Sequence, residues 1–86
     1  MKIIFHQSFN KSYLKLREKE KIKFKERVAI FLEDKFNPIL NNHPLKGKYS
    51  GYRSINIGGD IRAIYKTLSE EVCLFVDIGS HNRLYS

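Results

Sequence analysis

Tyr52-Arg53-Ser54-Ile55-Asn56-Ile57-Gly58-Gly59-Asp60-Ile61-Arg62-Ala63-Ile64-Tyr65-Lys66-Thr67 is the stretch whose reading decides the fold. β-Branched and aromatic residues fill 52–57 and 61–67, so both runs read as strands. Gly58-Gly59 between them offers the positive φ angles of a tight hairpin. Side chains alternate across a strand, which suits Ile61, Ala63 and Tyr65 to a face packed beneath helices. Asp60 and Arg62 then share the other face, with Asn56 expected near Asp60 across the turn.

Beyond the hairpin, Leu68 to Glu71 makes a turn, and Val72 to Ile78 reads as a strand buried on both faces. Gly79 releases the chain, and His81 is expected in a loop beside the rigid sheet, a good place for chemistry. In the other direction, residues 41–48 read as loop, punctuated by Pro44 and Gly47. Phe24, Val28, Phe31, Leu32 and Phe36 recur at helical spacing and predict a helix with one stripe facing a core. Asn37-Pro38 ends it, because proline disfavours helix in the residue before it. Residues 17–21 are a charged break or the start of that helix. Ser8 is a candidate N-cap for an earlier helix bearing Phe9, Tyr13, Leu14 and Leu16, and residues 2–6 read as a first strand. The order β-α-α-β-β-β implies an α+β fold: two N-terminal helices on one face of a small, mostly antiparallel sheet.

The 86 residues suffice for one domain, taken as 1–86, with 42% hydrophobic and 13% aromatic residues, too apolar for a disordered chain. A single cysteine, Cys73, rules out an internal disulfide framework and a Cys-based zinc site, and its apolar neighbours suit a core residue. The N-terminal apolar run is too short for a signal peptide and no window approaches a membrane span, so the cytoplasm is the expected compartment. A net charge of +7 attracts polyanions at long range, nucleic acid being the usual partner, although a merely basic surface, an anionic membrane or an acidic protein partner would satisfy it too. Lysines and arginines crowd residues 11–27, as a solvated face or as a rail for an RNA backbone. Lys46, Lys48, Arg53, Arg62, Lys66 and Arg83 form a second basic set that coincides with the histidines.

Cleaving RNA without a metal requires a base for the 2′-OH, a cation for the phosphorane and an acid for the leaving 5′ oxygen. Histidine fits the first and last roles near neutral pH, and arginine offers a fixed cationic fork. His43, Asp60, Arg62 and His81 are accordingly the candidate catalytic residues. Lys46, Arg53, Asn56, Arg83 and Tyr85 are candidates for holding substrate, Tyr85 by stacking on a base. Simpler roles stand beside these: His43 capping a turn, Asp60 accepting backbone hydrogen bonds, Arg62 in a surface pair with Asp60, His81 an exposed loop residue and His6 a structural one. The chain lacks His-Glu-x-x-His, a phosphate-loop glycine pattern and paired cysteines, so no metal or nucleotide cofactor is expected.

His43-Pro44-Leu45 with Gly47, Gly51-Tyr52-Arg53, Asp60, Ile64-Tyr65-Lys66, Gly79-Ser80-His81 and Leu84-Tyr85 resemble bacterial type II toxins of the RelE/ParE superfamily, most closely the YafQ-like branch. The resemblance is close over the second half; the first half agrees in length and element order. It implies a ribosome-dependent endoribonuclease acting on translated mRNA and inhibited by a cognate antitoxin. It also implies proton abstraction or substrate positioning by His43 and Asp60, transition-state stabilisation by Arg62 and general acid action by His81. Tyr85 matches an aromatic at the family's C-terminal edge. Three positions depart from the branch: Asn56 replaces a histidine, Asp77 an arginine and Ile61 an aromatic. The alternatives are a non-catalytic ParE-like toxin acting on DNA gyrase and a basic RNA-binding module.

Overall fold

The computed structural model describes residues 1–85 and runs β1 (Lys2–Phe5), α1 (Gln7–Leu14), α2 (Glu18–Glu33), β2 (His43–Pro44), β3 (Arg53–Gly58), β4 (Ile61–Ser69), β5 (Val72–Ser80) and α3 (His81–Tyr85). The expected domain extent includes Ser86, which lies outside the described residues. The five strands are ordered β1-β5-β4-β3-β2. β1 joins β5 in parallel, which the two crossover helices make possible, and the other pairings are antiparallel. This is the expected helices-on-sheet architecture, extended at both margins. His43-Pro44 forms a short edge strand where a loop was expected, and proline is tolerated there because an edge strand need not donate from every N–H. His81 opens a short terminal helix and does not sit in a loop.

Helix entry also differs from expectation. The N-cap of α1 is His6, whose Nδ1 accepts from the Ser8 amide at 3.0 Å. Ser8 lies inside the helix and donates its hydroxyl to the Val76 carbonyl. There α1 takes over the flank of β5 from β1, whose pairing stops at Phe75, and the hydroxyl satisfies a carbonyl at that transition. α2 ends at Glu33, ahead of Asn37-Pro38, because Asp34 is already extended. Phe24 and Phe31 are buried seven residues apart, whereas Leu32 turns about 100° away from Phe31 and is exposed. Phe36 lies past the helix end and is exposed too, beneath the Arg53 guanidinium at 5.4 Å.

The core fills the space between the helices and one sheet face. Phe31 stands edge-on to Tyr65 and Phe75 at 5.0 and 5.5 Å, and Phe9 meets Phe24 at 5.3 Å, with Ile55, Ile57, Ala63, Cys73 and Ile78 filling between the rings. β5 is only partly two-sided: Cys73, Phe75 and Ile78 are buried, while Leu74, Val76 and Asp77 are half-buried. Ser54, Ile64 and Leu84 are buried but stand outside the helix-side core. They mark the second face, which α3 covers only in part. Among the described residues no helix is long and apolar enough to cross a membrane.

Candidate active site on the open sheet face

Strand register assembles this face. Paired residues point the same way, so His43 (β2), Ser54 (β3), Ile64 (β4) and Asp77 (β5) form one row away from the helices. Asn56, Arg62 and Gly79 form the adjacent row. Asn56 therefore opposes Arg62 rather than Asp60. The cause is the turn: Gly58 pairs with Ile61 after a bulge, so Gly59 and Asp60 form the loop tip, with positive φ at Gly58 and Gly59. Asp60 is exposed at that tip, and its carbonyl accepts the His81 amide at 2.9 Å, which ties the first residue of α3 to the hairpin.

His43 is half-buried, and its Nδ1 lies 2.8 Å from the Asn41 carbonyl. A carbonyl only accepts, so Nδ1 carries the hydrogen; in the neutral ring Nε2 is then the nitrogen with the lone pair, the tautomer a general base needs. Arg62 donates one terminal nitrogen to the Gly59 and Ile61 carbonyls at 3.0 and 3.1 Å, which holds the guanidinium at the hairpin and leaves its other donors available. Among the described residues it forms no ion pair with Asp60. His81 is exposed, with its ring 4.7 Å from that of Tyr85.

Arg83 reaches over Gly79, where no side chain would fit beneath the guanidinium. It donates to Asp77 Oδ1 at 2.9 Å, to the Ile78 carbonyl at 2.6 Å and to Ser12. Its charge is thus balanced by Asp77, and Arg62 is the cation better placed to meet a phosphate. Burial pushes the Asp77 carboxyl up, but hydrogen bonds from Arg83, Ser12 and the Ile78 amide outweigh it and hold the group below the usual carboxylate range.

Not every expected residue reaches this face. Arg53 alternates with Ser54 and points to the helix side, where Nε donates to Asn42 Oδ1 at 2.7 Å and Asn42 donates to the Tyr65 hydroxyl at 2.8 Å. It braces the segment leading into β2. Lys46 is exposed just ahead of the 3-10 turn Gly47–Tyr49. Ser54 Oγ, Asn56 Oδ1 and the Tyr85 hydroxyl are buried without a hydrogen-bond partner among the described residues, so polar valence is concentrated on this face and on the helix that covers it. The sequence reading missed Tyr49 as well. Its ring lies 6.1 Å from Tyr52 and 6.3 Å from Tyr85, and the signal was the Tyr-x-x-Tyr spacing in a glycine-containing basic loop.

Comparison with known proteins agrees with this fold. The chain is similar to YafQ from Escherichia coli strain BL21(DE3), with 23% identity, 98% of this chain and 97% of that chain covered, and a TM-score of 0.81. The DinJ–YafQ toxin–antitoxin complex of E. coli gives 23% identity, coverages of 98% and 96%, and a TM-score of 0.75. The RelBE2 toxin–antitoxin complex of Mycobacterium tuberculosis gives 17%, coverages of 93% and 96%, and a TM-score of 0.65. At such identities these likenesses establish the fold. No curated protein matches the chain significantly by sequence. The profile of the family described as "Bacterial toxin of type II toxin-antitoxin system, YafQ" matches residues 1–86, and the chain therefore belongs to the YafQ family of type II toxins.

Proposed function

We propose that this toxin is a ribosome-dependent endoribonuclease that cleaves translated mRNA in the cytoplasm and is neutralised by a cognate antitoxin. The 2′ oxygen attacks the scissile phosphorus as its proton passes to His43 Nε2. Arg62 stabilises the charge that builds on the phosphorane. The P–O5′ bond breaks while His81 protonates the departing oxygen, leaving a 2′,3′-cyclic phosphate. These roles need no metal. Asp60 positions the acid, because its carbonyl holds the start of α3. Asn56 and Tyr85 contact the RNA next to the scissile bond, and Lys46 contacts phosphate. Arg83 acts indirectly, as the anchor of α3. The observation that carries this reading is the shared face of His43, Asn56 and Arg62, with His81 tethered at its end.

The antitoxin partner is supported by the complexes in which DinJ–YafQ and RelBE2 are found. Primer extension on translated mRNA tests the reading. Cuts confined to the ribosomal A site are expected, together with a loss of roughly 100-fold in single-turnover rate for His81→Ala. Intact mRNA accompanied by gyrase-linked DNA breaks would overturn it in favour of a ParE-like action.

A further inference from the structure

Next to the catalytic row, the open face carries a depression of about 510 Å³ lined by His6, Lys48, Tyr49, Tyr52, Leu74 and Asp77, among others. Its volume falls within the range of small-ligand sites. We propose that it is a nucleobase subsite selecting a base with an exocyclic amine, the selecting group being Asp77. The proposal rests on the nuclease reading and names a determinant of its sequence preference.

Aromatic rings connect the two places. Tyr52, Tyr49, Tyr85 and His81 follow one another with centroids 6.1, 6.3 and 4.7 Å apart, so a strand entering at the candidate acid meets ring after ring on its way to the depression. Stacking on such rings is tolerant of sequence. The Lys48 and Lys66 ammonium groups lie over the Tyr49 and Tyr52 rings, 5.4 Å from the centroids, and on flexible stems can swing off those faces to meet phosphates as bases stack. A surface that binds phosphate alone gains nothing from a carboxylate, even one whose charge Arg83 largely balances.

The hydrogen bonding of Asp77 indicates its use. Oδ1 accepts from the Ser12 hydroxyl at 2.6 Å, the Ile78 amide at 2.8 Å and Arg83 at 2.9 Å. Oδ2 has no hydrogen-bond partner among the described residues. The carboxylate is thus locked by one oxygen and presents the other as a lone, negatively charged acceptor. Cytosine N4, adenine N6 and guanine N2 each offer an amine to such an acceptor, whereas the one donor on the uracil pairing edge, N3–H, is flanked by two carbonyls that repel a carboxylate.

Binding can be read without cleavage by using 2′-O-methyl tetranucleotides, in which no 2′-OH is available to attack. With the full chain, NMR titration with the tetracytidylate should move the Tyr49, Tyr52 and Leu74 amides with an affinity about tenfold above that for the tetrauridylate. Asp77→Asn retains an acceptor for Ser12 and Arg83 but turns a donor outwards, so the preference should vanish or reverse. Arg83→Gln loosens the anchor and leaves Oδ2 in place, so it should keep the preference. Equal affinity of the wild-type chain for both oligomers would overturn the proposal. So would equal loss of preference in both variants, which would make Asp77 only an anchor. Absence of ribosomal cleavage would sink the nuclease reading without altering these titrations.

Discussion

Gly79→Ala should lower stability in the wild-type chain and raise it once Arg83 is removed. A Cβ on Gly79 would meet the Arg83 guanidinium, with Nε at 2.6 Å and Cζ at 2.8 Å. The guanidinium is the far end of a flexible side chain, so it moves aside and loses its bonds to Asp77, Ile78 and Ser12. Charge-assisted hydrogen bonds are worth about 1.5–3 kcal/mol when well shielded. Here the Arg83 side chain is 51% exposed and Asp77 20%, so about 1–2 kcal/mol is the fairer figure. Against that loss, alanine in an extended strand gains about 0.5–1 kcal/mol over glycine. The net expectation is a loss of about 0.5–1 kcal/mol, or roughly 3–6 °C in Tm for a domain of this size. In an Arg83→Ala background only the gain remains, and Tm should rise by a similar amount. Thermal unfolding followed by circular dichroism on the four variants of the cycle gives a coupling of about 1–2 kcal/mol if the clash is the cause. A Gly79→Ala effect of the same sign and size in both backgrounds would refute the argument and assign the cost to the backbone.

Three further outcomes follow from the same geometry. The folded-state pKa of Asp77 is depressed, so its contribution to stability is complete above the unfolded value and is lost as pH falls through the folded one. The stability difference between wild type and Asp77→Asn should therefore hold steady from about pH 8 to about pH 5 and shrink below about pH 4; a difference that grew on acidification would contradict this. His6→Ala removes the α1 cap and should cost about 1 kcal/mol in urea unfolding, whereas an unchanged midpoint would mean water replaces the ring without loss. Ser54→Ala deletes a buried hydroxyl that lacks a partner, so stability should stay level or rise by up to about 1 kcal/mol; a clear loss in the same melts would reveal a hydrogen bond at that site.

The clearest failures of the sequence reading lie at the hairpin. Two glycines marked a turn correctly, but a bulge moved its tip by one residue, which exchanged Asp60 for Arg62 as the neighbour of Asn56. A bulge depends on which backbone groups the flanking strands satisfy, and composition does not encode that. Arg53 shows a second limit. Basic residues near a histidine suggest phosphate, yet strand alternation places this one on the helix side, against Phe36 and Asn42. Asp77, which stands where the resembling branch has an arginine, is largely neutralised by Arg83 from six residues further along the chain.

Period-two and helical hydrophobic patterns, turn glycines and a proline stop were enough to establish the element order, the helices-on-sheet architecture and the aromatic core, because those depend on local geometry and burial. The motifs around His43, Asp60 and His81 carried the family likeness for the same reason, since they are contiguous in the chain. Which side chains share the open face, which histidine nitrogen is left with a lone pair and which arginine keeps its charge available were decided only by the folded chain. Each of these depends on backbone conformation and pairing that composition does not state: register between strands distant in sequence, the Asn41 carbonyl set against His43 by a left-handed Asn41, and an ion pair closed over Gly79.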